Sequence, residues 1–145
     1  MKRLSQSLIL CFTTILSFSL CNTYFLSNPT LTPDGNTLIF AFEGDLWKAN
    51  VNDGNATRLT AMQGYETSPR VSPDGKWIAF TGRQYGNGDI YIIPVSGGDV
   101  KEVTWHSGND EVTSWSWDSK SIYFNSNRMG QVAGFKVSAD GGTPQ

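Results

Sequence analysis

Side chains able to do chemistry are few in this sequence. His106 is the only histidine, so any Ser-His-Asp triad would have to be built on it. No serine stands in a Gly-x-Ser-x-Gly elbow, the strained turn that presents a hydrolase nucleophile. Both cysteines, Cys11 and Cys21, fall near the N-terminus, and one histidine without a further thiolate falls short of the ligand set that zinc takes. Asn109, Asp110 and Glu111 are consecutive oxygen donors. They lack the alternating Asp-x-Asp-x-Asp-Gly frame that turns carboxylates onto calcium, and they read as a solvated loop. Eleven Lys and Arg against 13 Asp and Glu leave a net charge of -2 with no basic cluster, which argues against nucleic acid as a partner. The expectation is no catalytic residue, no cofactor and no metal. Arg83, Tyr85 and Arg128 follow apolar segments in loops, and with His106 they are the candidates for a substrate-channel mouth. Solvated loop positions are the competing reading for Arg83, Tyr85 and Arg128, and a loop or structural hydrogen-bonding role is that for His106.

The elements that must position these residues form a repeat. Thr32-Pro33-Asp34-Gly35-Asn36-Thr37-Leu38-Ile39-Phe40 returns as Ser72-Pro73-Asp74-Gly75-Lys76-Trp77-Ile78-Ala79-Phe80, and again, worn, as Ser116 to Phe124. The steps are 40 residues from Pro33 to Pro73 and 44 from Pro73 to Trp117, with the added residues around Gly86-Asn87-Gly88. A second block, Asp45-Leu46-Trp47 to Val51, answers to Asp89-Ile90-Tyr91 to Val95 and to Gly134-Phe135-Lys136-Val137. A third, Thr57-Arg58-Leu59-Thr60, answers to Lys101-Glu102-Val103-Thr104.

Each unit reads as four strands. Pro-Asp-Gly suits a tight turn, since Pro presets φ, Asp bonds the backbone two residues on, and Gly takes positive φ. Recurrence of Asp34, Asp74 and Asp118 therefore points to turns, because a catalytic group is needed once. Ser119 replaces the glycine in the third copy, so that turn is expected to be strained or different in type. After each turn, Leu38 and Phe40, Ile78 and Phe80, and Ile122 and Phe124 alternate onto one face as expected core. Trp47, Trp77, Trp105, Trp115 and Trp117 are expected to fill the wedges between sheets, with a peptide- or sugar-stacking surface as the alternative. Four-stranded units of about forty residues define an all-β propeller. Its expected blades are about 28–64, 65–108 and 109–145, the last stopping at Thr143-Pro144-Gln145 where a fourth strand should begin. Propellers close with about four to eight blades, so this is an incomplete propeller of nearly three blades. The expected parent is a longer protein, with closure by oligomerisation as the alternative, and the open edges should leave the isolated chain prone to aggregate.

Residues 1–23 read as a secretory signal peptide: Lys2 and Arg3 precede an apolar run from Leu8 to Leu20, too short to span a bilayer but suited to export. Lipidation at Cys21 is the alternative use of that segment. Export places the chain in the periplasm or cell envelope.

The Pro-Asp-Gly…Phe…Asp-Ile-Tyr…Gly-Gly pattern resembles the propeller repeats of TolB, the tricorn protease and the prolyl-oligopeptidase group. Gly64 to Gly82 is most similar to the first blades of tricorn-type peptidases, and Val103 to Asp110 to the linker before their third blade. The resemblance implies further blades, a PDZ-like module and a serine peptidase domain in the rest of the polypeptide, with the propeller serving peptide access. No family catalytic residue maps onto this chain. A TolB-like propeller that binds an envelope protein, with no enzyme attached, is the alternative.

Overall fold

A computed structural model describes residues 26–145; the expected leader, with Cys11 and Cys21, lies outside the described residues. The chain is all-β, in three antiparallel sheets. Blade 1 holds β1 (Ser27–Leu31), β2 (Thr37–Phe42), β3 (Asp45–Asn50) and β4 (Ala56–Arg58). Blade 2 holds β5 (Glu66–Val71), β6 (Trp77–Gly82), β7 (Asp89–Pro94) and β8 (Lys101–Glu102), and blade 3 holds β9 (Asp110–Trp115), β10 (Ser121–Ser126) and β11 (Ala133–Ser138). Strands follow chain order across each sheet, and β5 lies against both β1 and β9, so the first strand of each blade is innermost. Beyond β11, Lys136 and Gln145 exchange both backbone hydrogen bonds, at 2.8 and 2.9 Å. Lys101 pairs with Ile92 at the same place in blade 2. A fourth strand is thus begun at Gln145.

The turns are built by one device used three times. In blade 2, Ser72 Oγ donates to Asp74 Oδ1 at 2.5 Å, while Asp74 Oδ1 accepts the Lys76 amide and Ser72 Oγ accepts the Trp77 amide. Thr32 with Asp34, and Ser116 with Asp118, repeat it. The hydroxyl beside each carboxylate, followed by the amide two residues on, holds Asp34 and Asp118 below the usual range; the Ser72 hydroxyl leads the same shift at Asp74. Ser119 adopts φ 60° and its amide returns to the Ser116 carbonyl, as Gly75 does to Ser72. Of the two expectations the first holds: the third turn keeps its type, with Ser119 in the left-handed region. Ser119 Oγ also accepts the Asp74 amide of the preceding blade at 3.0 Å, a contact glycine could not make.

Strand alternation puts opposite faces into two seams. Ile39, Ala41 and Leu46 of blade 1 meet Ile78, Phe80, Tyr91 and Ile93 of blade 2. On its other face, blade 2 sends Ala79, Ile90, Ile92 and Val103 against Val112, Trp115, Ile122, Phe124 and Val137 of blade 3. Blade 2 is therefore apolar on both faces. The expected pairing of Leu38 with Phe40 holds as a face but not as a seam. Phe40 lines an open groove of about 610 Å³ with Leu26, Phe42, Trp47 and Ala56, and Leu38 is only half-buried.

The tryptophan expectation needs correction. Only Trp115 sits buried in a seam, donating Nε1 to the Arg70 carbonyl of blade 2 at 2.8 Å. Trp105 and Trp117 are 70% and 94% exposed, and Trp77 is exposed as well. Trp77 opens β6 and Trp117 occupies the turn, positions the pleat and the turn direct outward.

Candidate functional site

Antiparallel order places the Pro-Asp-Gly turns on one side of the disc and the inter-blade links on the other. The linker side carries the β2–β3, β6–β7 and β10–β11 loops and the β4–β5 and β8–β9 links. All four candidate channel residues lie on this side. Arg83 and Tyr85 are in the β6–β7 loop, His106 is in the β8–β9 link, and Arg128 is in the β10–β11 loop.

They are not equivalent. Tyr85 is 77% exposed. Arg83 is exposed and donates to Asn109 Oδ1 at 3.0 Å, tying two loops together. His106 Nδ1 accepts the Gly108 amide at 2.9 Å, and the His106 amide donates to Asp89 Oδ1 at 3.1 Å. Asp89 is buried, which raises its pKa against the pull of that amide. Arg128 is neither solvated nor free: its guanidinium pairs with Asp110 Oδ2 at 2.5 Å and lies 5.3 and 5.1 Å from the Phe124 and Phe135 rings. His106 and Arg128 share the wall of a pocket of about 350 Å³ with Val103, Trp105 and Pro144. The inner strands offer a polar wall beside this rim through Thr67, Arg70, Glu111 and Thr113.

The solvated-loop reading of Asn109, Asp110 and Glu111 is overturned for its central residue. Asp110 opens β9, is 1% exposed and is bound to Arg128. Asn109 Oδ1 also accepts the Gly88 amide, and Glu111 Oε1 accepts the Ser68 hydroxyl. Among the described residues, no group of three or more His, Cys, Asp or Glu is placed to hold a metal ion.

A second buried carboxylate escaped the sequence reading. Glu66 opens β5 exactly where Asp110 opens β9, one repeat of 44 residues earlier. That spacing was the available signal. Glu66 Oε2 accepts from the Thr60 hydroxyl and from the Leu46 amide, the latter at 3.2 Å. Its Oε1 is buried without a partner. Burial raises the Glu66 pKa above its ordinary 4.5 and Asp45 adds to that, while the Thr60 hydroxyl and the Leu46 and Met62 amides oppose it.

A raised folded-state pKa means that folding favours the protonated form. The Glu66 contribution to stability is full below pH 4.5 and is lost as pH rises through its folded value. Glu66→Gln should remove this share of the slope and leave that of Asp89. Denaturant titrations at successive pH values check it; parallel curves for wild type and variant would refute it.

Sheets of four antiparallel strands, arranged with the first strand innermost and packed face to face, define a β-propeller. TolB from Acinetobacter baumannii has a solved structure that superposes on 84% of this chain, covering 32% of its own, with TM-score 0.75 and 26% identity. The solved tricorn protease shares the fold, with TM-score 0.71 and 23% identity over 81% of this chain and 13% of its own. The chain belongs to the Tricorn protease N-terminal beta propeller domain family, which matches residues 23–145. Tricorn protease homolog 1 of Streptomyces coelicolor is 35% identical over 89 residues, which are 61% of this chain. The match spans only 8% of that relative's length.

Proposed function

We propose that this chain is the propeller portion of an exported tricorn-like peptidase, serving peptide access and recognition rather than catalysis. Membership of the tricorn propeller family carries the reading. The geometry supports it: Arg83, Tyr85 and His106 stand on the linker side, and the inner strands carry the polar Thr67, Arg70, Glu111 and Thr113. Such a rim can hold an extended peptide through its amides without chemistry of its own. Its partners are then peptides and the remaining blades, PDZ-like module and peptidase domain of the same polypeptide. The Lys2-Arg3 and Leu8–Leu20 leader supports export to the periplasm or envelope.

The test is made in the full-length protein. Arg83→Ala combined with Tyr85→Ala should lower kcat/KM several-fold for a decapeptide and leave a tripeptide unchanged. Equal loss for both substrates, or for neither, would sink the access role. The TolB match favours a second reading, an envelope protein-binding propeller. In that case the full-length protein would hydrolyse neither peptide.

A further inference from the structure

A lysine ties each seam at the same place. In blade 1, Lys48 of β3 donates its ammonium to the carbonyls of Val95 and Ser96, at 3.3 and 2.9 Å, in the β7–β8 turn of blade 2. In blade 2, Lys101 of β8 donates to the carbonyls of Ala139 and Asp140, at 3.3 and 2.8 Å, in the turn that follows β11. The two receiving turns are equivalent. The Val95 and Ala139 amides bond to the Lys76 and Lys120 carbonyls, and the Gly97 and Gly141 amides return to Pro94 and Ser138. In both seams two successive carbonyls are thus captured by an ammonium of the preceding blade, a charge-assisted bond stronger than a neutral one.

The donors come from one row across the sheet. Register sets Ile39, Lys48 and Thr57 side by side in blade 1, and Ala79, Ile92 and Lys101 in blade 2. Blade 3 continues the row with Tyr123, Lys136 and Gln145. Each row holds one lysine and faces the next blade: Ile39 lies in the first seam, Ala79 and Ile92 in the second. By the same pleat Tyr123 and Lys136 face away from blade 2. Both are exposed, and the Lys136 ammonium has no partner among the described residues. A second device recurs on this face. Thr81 Oγ1 accepts the Val112 amide of β9 across the second seam at 3.0 Å. Asn125 stands at the place of Thr81, paired with Gly134 as Thr81 is with Ile90, and it too is exposed.

We propose that the outer face of blade 3 docks a fourth blade of the same repeat. Lys136 captures two successive carbonyls in the turn between that blade's third and fourth strands, and Asn125 accepts an amide of its first strand. A second copy of this chain fits the face poorly. The blade it would offer is blade 1, whose free face is the apolar groove of Phe40, Phe42 and Trp47, and burying Asn125 and Lys136 there would leave polar groups unpaired. The turn of blade 1 is also a residue longer, the Gly54 amide returning to Asn50. The proposal rests on the reading that further blades follow in the polypeptide, and it assigns the contact that holds the next one.

The test is amine acetylation of the full-length wild-type protein, with the rate at each lysine read by mass spectrometry. Lys76 and Lys120, exposed in the Asp-containing turns, set the fast rate. Lys136 should react about tenfold or more slower than these, as Lys48 should, because its ammonium must first leave two charge-assisted bonds. Labelling of Lys136 at the rate of Lys120 overturns the proposal. The occupant is identified by photolysis of the full-length variant Tyr123→p-benzoylphenylalanine. Its crosslink should fall within the next repeat, about forty residues beyond Gln145. A crosslink to a second copy, or only to the peptidase domain, refutes the fourth blade. Should the variant fail to fold, the wild-type labelling decides. A polypeptide with no repeat beyond Gln145 would sink the reading of further blades, whereas fast Lys136 labelling in one that has such repeats sinks the lysine contact alone.

Discussion

Arg128→Ala is expected to lower the unfolding free energy by about 3–5 kcal/mol, the cost of stranding a buried charge. Its guanidinium side chain is 12% exposed and the Asp110 side chain 0%, so water cannot replace the lost partner. The substitution also removes the cation from beside Phe124 and Phe135. Denaturant unfolding measures the loss. The double variant Asp110→Leu with Arg128→Met separates charge from packing: removing both members should recover most of the stability, since a buried pair is often no better than apolar residues of similar volume. A loss below about 1 kcal/mol for Arg128→Ala would place the pair in the solvated class. That outcome would restore Arg128 as a free rim residue.

Phe80→Ala should be of similar size, about 3–5 kcal/mol, from lost burial plus the cavity left behind. Phe80 is fully buried in the seam between blades 1 and 2, stacked on Tyr91. The informative comparison is Phe40→Ala, at the same repeat position in blade 1. Phe40 is itself little exposed but faces the open groove with Leu26 and Trp47. No blade of the described structure covers that face, so truncation there should cost less than half as much. Equal costs for the two variants would mean that an unseen surface packs on blade 1 as tightly as blade 1 packs on blade 2.

The contrast between Phe40 and Phe80 shows where sequence reading stops. Pattern alone put Leu38 and Phe40 on one face, as it did Ile78 and Phe80, and that was correct as alternation. Which alternate face meets a neighbour depends on how the sheets are ordered around the axis, and period two is silent on that. The tryptophans failed for the same reason. Their size suggested wedges between blades, yet Trp117 takes the turn position of a proline and Trp77 opens its strand facing out. Ser119 kept the positive φ that the repeat required of it, which is affordable where the fold over-determines a single residue. Its hydroxyl gains a bond to Asp74 across the seam.

By itself the sequence determined the repeat, the four-stranded unit and the turn positions, since these rest on contacts within a few residues. It also located the chemistry-bearing side chains in the linker-side loops. Only the tertiary structure decided their condition. Arg128 and Asp110 are 18 residues apart in sequence and met as an ion pair, while Glu66 at the equivalent position bonds instead to the Thr60 hydroxyl and the Leu46 amide. The charge state and exposure of a side chain are set by what packs on it from other strands. For Glu66 that means Leu46 and Thr60 of the blade before and its own link, none of which the repeat pattern could rank.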